Sequence, residues 1–108
     1  MTRLVMQRRA MRDLADARAF YRREAPHMVA DFASAIDAEL KHLRLQPATG
    51  SPRFGLRLGI AGLRSWPVKR FLHPVFYIDQ GDHISVVRVL HQSRDLPAHL
   101  ETDSDSRP

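Results

Sequence analysis

The hydrophobic repeat changes period once along this chain, and the change is abrupt. Up to about residue 45 apolar side chains recur every three to four positions, and from Leu63 onward they alternate. The first spacing lines one face of a helix, and the second lines one side of a strand. Between the two regimes lies QPATGSPRFGLRLGIAG (46–62), which holds two prolines and four of the five glycines. It reads as an irregular connection. Helices followed by successive strands predict an α+β domain, because each class must bury its apolar side against the other.

In the helical half, Met11, Leu14, Arg18 and Tyr21, with Ala10, Ala17 and Phe20 alongside, form one stripe of a helix beginning near Ala10. Asp13 and Asp16 lie toward its start and Arg22 and Arg23 toward its end, a distribution that suits the helix dipole. Pro26 ends it. A second stripe, Val29, Phe32, Ala33, Ile36, Leu40 and Leu43, is backed by Asp31, Asp37, Lys41 and Arg44. Pro26 suits its first turn, and Pro47 closes the region beyond its end. The two helices, joined by a short turn, make an antiparallel hairpin.

Weak alternation at Thr2–Gln7 predicts a short first strand. Leu63–Val68, Phe71–Ile78 and His83–His91 predict three more, with Asp79-Gln80-Gly81-Asp82 as the turn between the last two. Pro67 belongs at a strand end, and Pro74 at an edge or a bulge. The last strand, HISVVRVLH, is mostly β-branched and belongs in the middle of the sheet. Ser93 and Asp95 can cap a short final helical turn, and TDSDSRP is polar. The predicted order is β-α-α-β-β-β, with the helices on one sheet face and the other face open and bearing arginines. A chain of 108 residues holds one such core. The domain is expected over residues 1–101, with a polar tail at 102–108.

Charge is uneven. Residues 48–94 carry seven basic side chains against Asp79 and Asp82, while 95–108 carry Arg107 against four acids. Fifteen of the 17 cations are Arg. This is the composition either of an arginine-biased genome or of a face that meets a carboxylate-rich or anionic partner. Cysteine is absent, which excludes disulfide scaffolds, thiol catalysis and cysteine-held zinc. His73, His83, His91 and His99 lack metal-ligand spacing, so neither metal nor cofactor is expected. No apolar run approaches the roughly 18 residues of a membrane span, and MTRLVMQRRAM lacks the apolar stretch of a signal peptide. A cytoplasmic location without membrane association is expected.

Several fragments carry a resemblance. Ala10-x-x-Asp13-Leu14 is followed by Pro47-x-x-Gly50, then Gly62-Leu63-Arg64-Ser65-Trp66-Pro67-Val68, Phe76-Tyr77, and Arg88-Val89-Leu90-His91-Gln92-Ser93-Arg94-Asp95-Leu96. In this order and spacing, over about residues 2–98, the chain resembles the RelE/ParE superfamily of type II toxin–antitoxin toxins, nearer the ParE branch. The resemblance implies a toxin neutralised by a cognate antitoxin, ParD-like or similar, whose C-terminal segment wraps it. Operator DNA would be reached only through that antitoxin. ParE-branch members poison DNA gyrase, whereas RelE-branch members cleave mRNA on the ribosome.

Cleavage of RNA needs a base for the 2′-hydroxyl, cations for the phosphate and an acid for the leaving oxygen. Arg64, Lys69, Arg70 and Arg88 can serve as cations, but His91 is the one obvious proton carrier at the end of the last strand. No Tyr is near it in sequence, and Glu24, Glu39 and Glu101 fall outside the predicted sheet. If that strand has no bulge, His91 and Arg88 point to opposite faces. The preferred expectation is therefore a binding toxin directed at gyrase, and the alternative is a ribosome-dependent mRNA endoribonuclease built on His91, Arg64 and Arg88. The candidate antitoxin- or target-binding residues are Arg64, Trp66, Lys69, Arg70, Arg88 and Arg94. For Arg64 the competing expectation is an ion pair with Asp95 or another carboxylate. For Trp66 it is a place in the core. For Arg94 it is a local pair with Asp95.

Overall fold

The computed structural model describes residues 1–91. Arg94, the turn expected at Ser93 and Asp95, and the tail at 102–108 lie outside the described residues. The order is β1 (Arg3–Met6), α1 (Arg8–Glu24), a single 3-10 turn (Pro26–Met28), α2 (Val29–Leu45), α3 (Arg53–Leu58), β2 (Leu63–Trp66), β3 (Val75–Asp79) and β4 (His83–Val89). The sheet runs β1-β4-β3-β2. β1 lies parallel to β4, and the other neighbours are antiparallel. The last strand is thus central, as its β-branched composition predicts.

The helical hairpin covers one sheet face. Phe32, Ile36 and Leu43 of α2 and Ala10 and Ala17 of α1 pack there on Val75, Tyr77, Ile84, Val86 and Val89. Ala10, Leu14, Ala17 and Tyr21 of the expected α1 stripe pack on this core, but Met11 and Phe20 do not. The fully buried positions of the helix are Ala10 and Ala17, while Met11 and Phe20 are 58% and 46% exposed. Two alanines let the helix lie close to β4, where bulkier side chains would hold it off. The helix also starts at Arg8 rather than Ala10, so its first turn contains no acid. Asp13 and Asp16 therefore sit too far in to complement the dipole at that end, whereas Arg22 and Arg23 do occupy the last turn.

The expected open face is a second correction. Residues 53–58 form α3, a helix too short to show a period. It seats Phe54 on the reverse of the sheet with Leu63, Phe76, Ile78 and Leu90. Successive residues of β3 therefore serve two cores: Val75 and Tyr77 face the hairpin, Phe76 and Ile78 face α3. Toward β1 the reverse face is less covered, and Val5 is 40% accessible there.

The strand bounds differ in part from expectation. β2 and β4 stop two residues early, at Trp66 and Val89, and β3 begins at Val75 rather than Phe71. Pro74 precedes an inner strand rather than lying on an edge. Pro67 follows the last residue of β2, and Pro74 precedes the first of β3, where no ladder donor is needed. A bulge falls between Phe76 and Tyr77, which pair with Arg88 and Val86 and leave Val87 as the extra residue. Gly81 takes φ 93° in the β3–β4 turn, which closes through the Gln80 amide on the His83 carbonyl.

Candidate functional site

The candidate residues divide between a run that leaves along β2 and a set that meets α1. Arg64 and Trp66 lie on β2, and Lys69 and Arg70 follow in the next loop. Arg88 and His91 lie at the far end of β4.

Arg64 pairs in register with Tyr77 on the neighbouring strand. Its Nη1 donates to the Gly50 carbonyl at 2.7 Å and to that of Ala48 at 3.3 Å. The Tyr77 hydroxyl donates to the Pro47 carbonyl at 2.7 Å and accepts the Gly50 amide at 2.9 Å. The loop after α2 is thus held by one phenol and one guanidinium, which accounts for the spacing of Pro47 and Gly50. A Cβ on Gly50 would lie 2.5 Å from the Tyr77 hydroxyl and 3.0 Å from the Ser65 carbonyl, so only glycine fits. Burial pushes the Tyr77 phenol above its ordinary pKa, an effect that the Gly50 hydrogen bond and the charge of Arg64 offset only in part. Among the described residues the Arg64 guanidinium donates to backbone carbonyls rather than to a carboxylate; Asp95 lies outside them.

Trp66 is a half-buried margin of the hairpin core. Its indole N–H donates to Glu39 Oε1 at 2.9 Å, and its ring stacks on His42 with centroids 4.9 Å apart and planes 19° from parallel. An indole held this way has one face and its polar edge already occupied.

Arg88 is consumed inside the fold. Its Nε and Nη2 donate to the two carboxylate oxygens of Asp13 at 2.8 and 2.9 Å, and the Val89 amide adds a third bond at 2.9 Å. Both side chains are 12% exposed. Asp13 is the functional neighbour that sequence reasoning placed elsewhere, as a dipole partner. The only signal for the pair is the joint presence of an acid in the second turn of α1 and an arginine 75 positions later.

His91 leaves β4 just beyond its end and lines a cavity of about 340 Å³ together with His73, Asp13, Asp16 and Phe20. The His73 and His91 rings meet edge to face at 5.0 Å. Because Asp13 binds Arg88 and also walls this cavity, Arg88 and His91 come to the same stretch of α1. The bulge at Val87 precedes both, and His91 lies past the last residue of β4, where strand alternation no longer applies. Among the described residues no group of three or more His, Asp or Glu is placed to hold a metal ion.

Two exposed features complete the surface. Between α1 and α2 runs a cleft of about 350 Å³, floored by Met6, Leu14, Phe32 and Ile36 and edged by Arg18 and Asp37. Beyond β2, the Val68–Phe71 turn closes through the Phe71 amide on the Val68 carbonyl at 3.1 Å and carries Lys69 and Arg70 outward.

A family model described as the ParE toxin of the type II toxin–antitoxin system parDE matches residues 4–96. Toxin ParE1 of Caulobacter vibrioides is 33% identical over 96 residues, which cover 88% of this chain and 94% of that protein. A solved structure of the chromosomal ParDE TA system from P. aeruginosa superposes with a TM-score of 0.69, at 20% identity, over 84% of this chain and 96% of that one. That last likeness is one of fold.

Proposed function

The chain belongs to the ParE toxin family of type II toxin–antitoxin systems, and from that premise we propose that it arrests growth by binding DNA gyrase and is neutralised by a ParD-like antitoxin. It acts as a binding protein of the cytoplasm, reaching operator DNA only through the antitoxin. Among the described residues no helix is long and apolar enough to cross a membrane.

One observation carries the choice of binding over RNA cleavage: the groups a nuclease would need are engaged in holding the fold. The Tyr77 hydroxyl is buried and bonded on both sides by the loop after α2. Arg88 neutralises Asp13, and Glu39 accepts from Trp66. His91 could carry a proton, but no described Arg or Lys lines its cavity: Arg64 lies on β2 and Arg88 faces Asp13. General acid–base chemistry requires donor and acceptor within hydrogen-bond reach of the same reacting group.

Neutralisation is supported by the cleft between α1 and α2. Its apolar floor and its rim of Arg18 and Asp37 suit an amphipathic segment laid along it, the usual way one helix face is recognised. The basic run on and after β2 offers guanidinium and ammonium groups to an acidic partner, and contacts of that kind weaken with added salt.

Induced expression tests the reading. Filamentation, an SOS response and stabilised gyrase–DNA cleavage complexes are expected. Rapid loss of protein synthesis with mRNA cut in ribosome footprints overturns it in favour of an endoribonuclease, and unimpaired growth with a soluble product overturns toxicity itself.

A further inference from the structure

Arg70 is the one described residue other than glycine with a positive φ, 70°. It occupies the third position of the Val68–Phe71 turn, whose first carbonyl accepts the fourth residue's amide. A positive φ at that position alone is the type II arrangement, which calls for Gly or Asn there. An arginine Cβ in the left-handed region meets the adjacent backbone and costs stability that glycine would not. Evolution supplied glycine at three other positive-φ positions of this chain, Gly59, Gly62 and Gly81, and did not at residue 70.

The contacts Arg70 makes within the chain do not account for keeping it. Its guanidinium lies 3.9 Å from Asp31, but those side chains are 70% and 61% exposed, and such pairs contribute little. It also stands 5.8 Å from the Phe71 ring centroid, near the limit of useful cation–π attraction. The turn is otherwise firmly seated. Val68, Phe71 and His73 are buried at 2%, 5% and 7% exposure, while Lys69, Arg70 and Leu72 between them face solvent, Leu72 at 49%. Strain held in place by buried neighbours is a mark of a working site.

We propose that this turn is a docking point for an acidic protein segment, with Lys69 and Arg70 meeting its carboxylates and Leu72 receiving an apolar side chain. The proposal rests on the toxin reading for the existence of an acidic protein partner and adds where it docks and the apolar contact it makes there. Two cations beside an exposed leucine favour a protein over a nucleic acid, whose backbone offers phosphate but no aliphatic surface. Holding the turn rigid in advance lowers the ordering cost of binding.

The test compares the wild type with Arg70→Gly, Arg70→Lys and Lys69→Ala. Each is titrated at low salt with a fluorescein-labelled peptide of alternating Glu and Leu, and with a thymidine oligonucleotide of equal charge. Arg70→Gly should melt a few degrees higher than the wild type, because the strain is gone, yet bind the peptide at least tenfold more weakly. Lys69→Ala should also weaken the peptide, and Arg70→Lys should largely retain it. A lower melting temperature for Arg70→Gly, unchanged peptide binding, or a loss confined to the oligonucleotide overturns the proposal. A wild type that fails to arrest growth, while Arg70→Gly still loses the peptide, removes the toxin reading and supports the docking point.

Discussion

Asp13 accepts both arms of the Arg88 guanidinium, at 2.8 and 2.9 Å, and so joins the second turn of α1 to the end of β4. The same carboxylate takes the Val89 amide. An ion pair this enclosed need not be better than an apolar pair of the same shape, but losing one member strands the other's charge.

Asp13→Ala and Arg88→Ala should each therefore lower the unfolding free energy by about 3–5 kcal/mol. The double change should cost clearly less than the sum of the two, since the partners act on one another. Urea denaturation of the three variants measures this. Additive losses would mean that the pair is not coupled.

The loop after α2 gives a second expectation. Tyr77→Phe removes the acceptor of the Gly50 amide and the donor to Pro47, and should cost about 1–3 kcal/mol. Gly50→Ala should be destabilising as well, because its Cβ meets the phenol and the Ser65 carbonyl. Hydrogen exchange at the Gly50 amide distinguishes a local from a global effect. It should accelerate in Tyr77→Phe more than amides of α2 do.

That phenol also sets a dependence on alkaline pH. Burial raises the pKa of Tyr77, and to the same end that of Tyr21. The folded state thus keeps its phenolic protons to higher pH than the unfolded state, whose tyrosines titrate near 10. The contribution is fully present below pH 10 and is lost as pH rises from there through the folded pKa. Melting temperatures followed from pH 8 to 11 should fall more steeply for the wild type than for Tyr77→Phe. Parallel curves would contradict the assignment.

At the start of α1, Arg8 and Arg9 stand in a first turn that has no acid and no side-chain cap. Arg8→Glu should stabilise by about 0.3–1 kcal/mol, the usual size of a favourable charge at a helix N-terminus. The gain should shrink in high salt, and thermal unfolding at two ionic strengths checks both statements.

What the sequence made legible follows from how local each signal is. The stripe of α2 needs only neighbours three and four residues apart, and Phe32, Ile36 and Leu43 are all buried. The central place of β4 is carried by its own β-branched run. α3 was hidden because six residues with a glycine inside give no period, although Phe54 was an apolar clue. The α1 stripe places Ala10, Leu14, Ala17 and Tyr21 on the core but also takes in Met11 and Phe20, because a hydrophobic count does not show that closeness to the sheet selects the smaller side chains. The position of Arg64 on β2, and of Lys69-Arg70 just after it, was legible from the alternation that begins at Leu63. The engagement of Arg88 by Asp13 was not, since nothing local links positions 75 apart.

Whether this fold works by binding rather than by cutting RNA is tested most directly by incubating the purified chain with gyrase and supercoiled plasmid, and in parallel with ribosomes translating a defined mRNA. Accumulated gyrase–DNA cleavage complexes with intact mRNA are the predicted result. Specific cuts in the mRNA on the ribosome, lost in His91→Ala and accompanied by unaffected gyrase, would contradict it.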